Sequence, residues 1–326
     1  NIIWTGLGTH NFTPFKDANP MCAADSRYKA LAWGDKEPGR ALYAFRSPDG
    51  IHWSLLSEQP VITKGAFDSQ NTAFWDANRQ RYVDYHRMGR TYEGELKRDI
   101  MTATSTDFLH WSEPQFLDYG DTPREHLYTN GTTPYFRAPE VYLALPRRMH
   151  PEWRRHDDAP WPGLSDTVFM SSRDGLHFDW RFRESFIRPG RDPRNWMSRT
   201  NLVANGIVPT GAGEMSLYVL RNRDLPSCHF ERMVLRLDGF ASAHGGYSRL
   251  SCNGRTKSCH HWSNGSSRRQ GSPCGQAEEN GCEPPATFRA FFHPRNRDWP
   301  RLFQASASTI STVHPPFEVH FQLYIL

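Results

Sequence analysis

Phe67-Asp68-Ser69-Gln70-Asn71-Thr72-Ala73-Phe74-Trp75-Asp76-Ala77-Asn78-Arg79-Gln80-Arg81-Tyr82-Val83-Asp84-Tyr85-His86-Arg87 carries the pattern that decides the fold. A polar, carboxylate-bearing opening runs to Asn71. A short apolar strand follows, then a turn at Asp76-Ala77-Asn78, then a second strand that alternates through Tyr82, Val83 and Tyr85. Asp and Asn beside an apolar run favour turns, because their side chains bond nearby backbone. Aromatic and β-branched residues suit a pleated, half-buried surface. Asp68 and Asn71 therefore belong at the mouth of a strand rather than inside it.

The opening recurs as His10-Asn11-Phe12, Gln70-Asn71-Thr72, Thr129-Asn130-Gly131 and Thr200-Asn201-Leu202. A second motif interleaves with it: Ser47-Pro48-Asp49-Gly50-Ile51-His52-Trp53, Ser105-Thr106-Asp107-Phe108-Leu109-His110-Trp111 and Ser172-Arg173-Asp174-Gly175-Leu176-His177-Phe178. Asp-Gly pairs suit a tight turn, and the ring after His can plug the next strand. This motif reads as architecture rather than chemistry. Together the two motifs give units of roughly sixty residues with about four short strands each, the size and strand count of a β-propeller blade. A parallel α/β sheet would need amphipathic helices between its strands, and the sequence offers none. The expected fold is all-β, a propeller with about four blades present. The run Cys228 to Phe240 supplies outer strands of the fourth, and 146–165 is expected to be a long polar surface loop.

Composition narrows the classes. Hydrophobic residues make up 37% of 326 and aromatic ones 13%, with 11 Trp, which favours an aromatic-rich globular β protein. No apolar run approaches the length that spans a bilayer. The net charge of +4 falls entirely after residue 248, so the main body lacks the electrostatic footprint of a nucleic-acid binder. From Ser248 onward the character changes. Cys252, Cys259, Cys274 and Cys282 crowd together with His260 and His261, but no pair has the C-x-x-C spacing of a zinc site, so neither a metal nor another cofactor is expected. A disulfide cluster would need an oxidising compartment. The expected domains are 1–248, the propeller, and 249–326, an irregular tail that is disordered or translated out of frame. Asn1-Ile2-Ile3-Trp4 begins as if already inside a fold, which suggests a missing upstream blade.

In a propeller the innermost strands converge on one axis, so openings sixty residues apart can meet. Cleaving a glycosidic bond needs two carboxyl groups flanking it, the acid holding its proton through burial or a like-charged neighbour. The candidates are carboxylates beside the openings: Asp68, three residues before Asn71; Glu125, five before Asn130; and Asp166, which reads equally as a strand-end cap. Glu214 lies among glycines and suits a hairpin turn, and Asp17 and Asp76 sit in matching turns. Asn11, Asn71, Asn130 and Asn201 could bind substrate. Arg137, Arg199 and His126 could orient sugar hydroxyls or a carboxylate, or serve structural ion pairs. Trp161 and Trp196 could stack on sugar faces.

Phe67-Asp68-Ser69-Gln70-Asn71 with Phe74-Trp75-Asp76 and Tyr82-Val83-Asp84-Tyr85 resembles an inner-strand signature of five-bladed β-propeller glycoside hydrolases, families 43, 32, 62 and 68. His10-Asn11-Phe12-Thr13-Pro14-Phe15, Glu125-His126-Leu127-Tyr128-Thr129-Asn130, Tyr135-Phe136-Arg137-Ala138-Pro139, Ser198-Arg199-Thr200-Asn201 and Leu237-Asp238-Gly239-Phe240 resemble an uncharacterised bacterial group within that set. The resemblance implies a glycosidase acting on a glycan or small glycoside, in the periplasm or outside the cell. By position Asp68 resembles the Asp that stabilises the transition state or tunes a pKa, and Glu125 the general acid. The family's first Asp, its base or nucleophile, has no match, since the earliest opening carries Asn11. The group usually continues into a β-sandwich, which residues 249–326 do not resemble, so the chain reads as a fragment. A non-catalytic carbohydrate-binding propeller, a protein-interaction propeller, and a phosphorylase or transferase stay open as alternatives.

Overall fold

A computed structural model describes residues 2–36, 39–153, 161–240, 248–252 and 255–259. Among them there is no α-helix, only two 3-10 turns. The chain divides into two compact units, the first holding Asn1–Arg236 and the second Leu237–Ser311.

In the first unit each repeated asparagine leads into the innermost strand of an antiparallel sheet. The first sheet joins β1 (Thr13–Lys16), β2 (Tyr28–Lys36), β3 (Gly39–Ser47) and β4 (Ser54–Leu55) in sequence order. The second repeats this with β5 (Thr72–Asp76), β6 (Arg81–Tyr92), β7 (Glu95–Ser105) and β8 (Gln115–Phe116). Ahead of the third opening lies β9 (His126–Leu127). The third blade is β10 (Thr133–Tyr135), β11 (Ala138–Ala144), β14 (Met170–Ser172) and β15 (Phe178–Asp179), with β12 (Arg147–His150) and β13 (Leu164–Thr167) extending its central hairpin. The register shows the continuity: Ala144 faces Met170 in one sheet and Arg147 faces Thr167 in the next, so the pairing resumes in step after the break at Pro146. Proline lacks the N–H that a central strand position needs. In the fourth blade β16 (Leu202–Val203) and β17 (Val208–Gly211) both pair with β18 (Glu214–Arg221), which pairs in turn with β19 (His229–Arg236). The first three sheets each place four antiparallel strands side by side in sequence order, and in the fourth β16 and β17 share one edge of β18 while β19 takes the other. Such repeating antiparallel sheets are the blades of a β-propeller.

The serine-aspartate motif closes each of the first three blades in one geometry. Ser47 Oγ accepts from the N–H of Gly50 at 2.9 Å, and Asp49 Oδ1 accepts from Ile51 and His52 at 2.9 and 2.8 Å. The Trp53 indole returns to the Gly50 carbonyl at 3.0 Å. Asp107 and Asp174 repeat these bonds. The fourth residue is left-handed in all three copies, Gly50 at φ 78°, Phe108 at 70° and Gly175 at 76°. Glycine carries no steric cost there. Phe108 does, and its fully buried ring offsets it by packing edge-on to Phe15, Tyr82 and Trp111.

The core lies between blades. Leu31, Leu42, Phe67, Trp75, Tyr82 and Phe108 pack the first blade on the second, and Tyr85, Ile100, Leu117, Tyr142, Met170 and Trp180 pack the second on the third. One expectation is corrected. The segment 146–165 is not simply a surface loop: Arg147–His150 and Leu164–Thr167 are strands, and Arg147 and Arg148 are buried. Burial of two adjacent arginines is uncommon in a strand; Arg148 is paired with Glu125 and Asp166, whereas Arg147 lies over the Tyr128 ring.

In the second unit Ser248–Cys252 (β20) and Arg255–Cys259 (β21) form an antiparallel pair. The rest of the cysteine-rich stretch, and with it the disulfide, frame-shift and irregular-tail expectations, lies outside the described residues. No described helix is long and apolar enough to cross a membrane.

Candidate functional site

The asparagines at the openings are used largely between blades. Asn130 donates to the carbonyls of Gln70 and Tyr85, both at 3.1 Å, and accepts from Thr72 Oγ1 at 2.8 Å. Asn201 donates to the Ser165 carbonyl at 2.8 Å and accepts from Arg221. Asn71 turns inward on its own opening, to the Phe67 and Ser69 carbonyls at 2.9 and 3.1 Å. All three are buried. Asn11, at φ 58°, reaches the Phe67 carbonyl at 3.5 Å and stays at the surface of a cavity.

That cavity, of about 200 Å³, is where the four openings meet. It is lined by His10 and Asn11 from the first, Asp68, Ser69 and Gln70 from the second, Tyr128 and Thr129 from the third, and Arg199 and Leu202 from the fourth, with Arg147 and Arg223 completing the wall. The walls interlock. Ser69 Oγ donates to the Tyr128 carbonyl, and Gln70 Oε1 accepts from the backbone N–H of Asn130 and Gly131 at 3.2 and 2.7 Å.

The cavity is basic. Its one carboxylate, among the described residues, is Asp68, half exposed and held by Arg87. Tyr128 lies under three guanidiniums, with Arg147 4.3 Å, Arg87 4.5 Å and Arg98 5.3 Å from its ring centre. Such stacking favours the cation over the π face. Burial pushes the Tyr128 phenol up, but Arg87 and Arg147 outweigh it and bring it below the usual tyrosine value. Burial and the nearby Arg223, Arg199 and Arg87 pull Arg147 down to about 9 against the support of Tyr128. Arg199, left-handed at φ 67°, stacks its guanidinium 3.6 Å from the centre of the Trp161 ring.

Arg147 and Arg148 are neighbours on a strand and so point to opposite faces. Arg147 faces the cavity. Arg148 faces Glu125 at 2.7 Å and Asp166 at 2.6 Å. Glu125 is further held by Arg183, and Asp166 by Ser185, with His150 3.6 Å away. Burial raises the Asp166 carboxyl, but His150, Arg148 and Ser185 together hold it well below the usual carboxylate range. A second cavity of about 440 Å³ opens beside this cluster, lined by Arg148, His150, Trp153, Asp166, Ser185 and Trp196 among others. The structure thus brings Glu125 and Asp166 together and puts Asp68 in a different cavity. His126 lines neither; burial and then Arg98 lower its pKa. Arg137 is exposed at the turn between β10 and β11. Tyr128, Arg147 and Arg223 went unselected in the sequence. The Arg147-Arg148 pair beside the apolar run 141–145 is a local signal for Arg147 alone, and none marks Tyr128 or Arg223.

Among the described residues no group of three or more His, Cys, Asp or Glu is placed to hold a metal ion. Fold and site together define a β-propeller with a basic pocket at the convergence of its blades. No protein-family model matches the chain, and no curated protein matches it. Solved structures similar to it include one named a glycoside hydrolase, 12% identical, with a TM-score of 0.49 over 72% of each chain. Another is the catalytic domain of a GH62 α-L-arabinofuranosidase from Coprinopsis cinerea, 11% identical, with a TM-score of 0.41 over 69% of this chain and 68% of that one. A third is an N-acetylgalactosamine deacetylase from F. plautii in complex with blood group B trisaccharide, 14% identical, with a TM-score of 0.44; this chain covers 63% of its length, using 65% of its own.

Proposed function

We propose that the chain is a glycan-binding propeller of the glycoside-hydrolase type, with its ligand seated where the blades converge. The observation that carries this reading is the shared cavity: polar side chains from all four openings line one pocket. A sugar is recognised by several hydrogen-bonding groups converging on one concave site. His10-Asn11, Asp68-Ser69-Gln70, Tyr128-Thr129 and Arg199, which line the pocket, belong to the stretches that resemble propeller glycosidases. Trp161, exposed and stacked on Arg199, offers an apolar face beside them.

Hydrolysis is the second reading, favoured by the half-exposed Asp68 carboxylate on the pocket wall. It requires a second carboxyl group roughly 5–10 Å from the first, across the scissile bond. Glu125 would serve as acid only by parting from Arg148 and Arg183, which hold both its oxygens. The test is a panel of oligosaccharides for binding and of chromogenic glycosides for turnover. Binding without turnover supports the first reading. Turnover that disappears in both Asp68→Asn and Glu125→Gln supports the second. A chain that binds no glycan on the panel overturns both.

A further inference from the structure

We infer that the pocket where the blades converge is an oxyanion site, and, resting on the glycan reading above, that its ligand is a sugar carrying a carboxylate or a phosphate group. The argument starts from the unsatisfied atoms. Buried polar groups nearly always find a hydrogen-bond partner, and those that do not call for an explanation. Among wall residues of this pocket the buried side-chain atoms without a partner are Gln70 Nε2, Arg147 Nε and Nη1, and Arg223 Nε. Every one is a donor. The orientation of the Gln70 amide is fixed, because its oxygen accepts from Asn130 and Gly131 and only its NH2 is left over. Arg147 is 3% exposed. A guanidinium that far from water with two of its nitrogens unpartnered is costly unless an acceptor completes it.

The charge agrees. Arg147, Arg199 and Arg223 bring three guanidiniums to the wall against one carboxylate, Asp68, which Arg87 already engages. Arg223 has Asp224 for company only at 3.6 Å, beyond hydrogen-bonding distance. The planar fork of arginine matches carboxylate and phosphate oxygens two at a time. Arg87 and Arg147 draw the phenol of Tyr128 below its ordinary value against its burial, so part of the field that would hold an anion is already felt at the pocket wall. At about 200 Å³ the cavity is smaller than the roughly 300–1,000 Å³ of drug-sized sites, which fits one charged sugar ring rather than a long chain. Asp68 opposes an anion and sets the geometry: the charged group belongs near Arg147 and Gln70, the neutral hydroxyls near Asp68 and Asn11.

Titration calorimetry of the full chain tests this with galactose, galacturonate, galactose 6-phosphate and inorganic phosphate, with the glucose series in parallel. One anionic sugar should bind at least about tenfold more tightly than its neutral parent, and less so as salt screens the pair. Preference for the uronate or for the phosphate ester assigns the source of the charge. Arg147→Met should abolish the preference and Asp68→Asn should strengthen it, opposite signs that a merely structural role would not give. Should Arg147→Met fail to fold, Arg199→Met, at the half-buried rim, reads the same loss. Equal binding of neutral and anionic sugars, unaltered in the arginine variants, overturns the oxyanion site while leaving the glycan reading in place. Inorganic phosphate bound as tightly as any sugar supports the oxyanion site and sinks the glycan reading. Binding of none of these probes overturns the inference.

Discussion

Tyr82, in the second blade, donates its phenol hydrogen to Asp17 Oδ2, at the end of the first blade's innermost strand, over 2.7 Å. Tyr142 of the third blade makes the same bond to Asp76 of the second. Each aspartate also keeps its own turn, Asp17 accepting from Asn19 and Asp76 from Asn78, both at 2.9 Å. One carboxylate therefore shapes a turn with one oxygen and ties the next blade with the other.

Burial, with Asp17 adding to it, pushes the Tyr82 phenol up to about 12. A phenol whose folded pKa lies above its unfolded value of about 10 contributes stability that is complete below pH 10 and is lost as pH rises toward 12. Tyr82→Phe should lose about 1 kcal/mol at neutral pH and should flatten the alkaline limb of the stability curve. Urea unfolding at pH 7 and at alkaline pH measures both, and an unchanged alkaline limb would sink the argument.

Arg148 holds two of the three candidate carboxylates, and its loss would leave Asp166 buried without its main cation. Arg148→Met should cost about 3–5 kcal/mol, the usual result of removing one partner of a buried pair. Because Asp166 is held below the ordinary carboxylate value, its contribution is present above about pH 4 and is lost as pH falls further. Asp166→Asn should therefore shift acid unfolding less steeply with pH than the wild type. Thermal unfolding between pH 2 and 7 reads this, and an identical acid slope in the variant refutes it.

Asn130 satisfies two backbone carbonyls and one hydroxyl from the neighbouring blade. Asn130→Ala orphans these buried groups, each worth about 1–3 kcal/mol when left unpaired, and should destabilise more than loss of the Tyr82 hydroxyl. A smaller loss, measured by chemical denaturation of both variants side by side, would show that water takes over the vacated bonds.

Tyr128 should ionise at lower pH than a free tyrosine, because Arg87 and Arg147 flank it. Absorbance at the tyrosinate band followed through a pH titration should show an early step that Tyr128→Phe removes and Arg87→Met moves upward. An early step that survives in Tyr128→Phe belongs to another residue.

Several of these features are local and could be read directly. The turn at Asp107 closes with hydrogen bonds to residues two and three positions on, so a seven-residue pattern contains all of its chemistry. The same holds for the innermost strands, which begin one to three residues after their asparagines. Asp68 was found because it lies in such a pattern. The run around Arg147 misled, since Pro and charged residues there suggest a loop. The continuous register with Thr167 and Asp166 that makes it a strand comes from residues beyond an insertion.

The sequence by itself determined the length of the blade, its rough strand count and the turn that closes the first three, because these rest on contacts between residues close along the chain. The asparagines that open the blades are legible there as residues, but the bonds of Asn130 and Asn201 cross between blades. Only the tertiary structure decided what stands at the convergence of the blades. Whether Asp68 meets Glu125 or Arg87, and whether Arg147 faces a cavity or Asp166, depends on how strands about sixty residues apart are brought together and on which face of a strand each side chain leaves. Those choices put Glu125 and Asp166 on Arg148 and left the pocket lined by arginines.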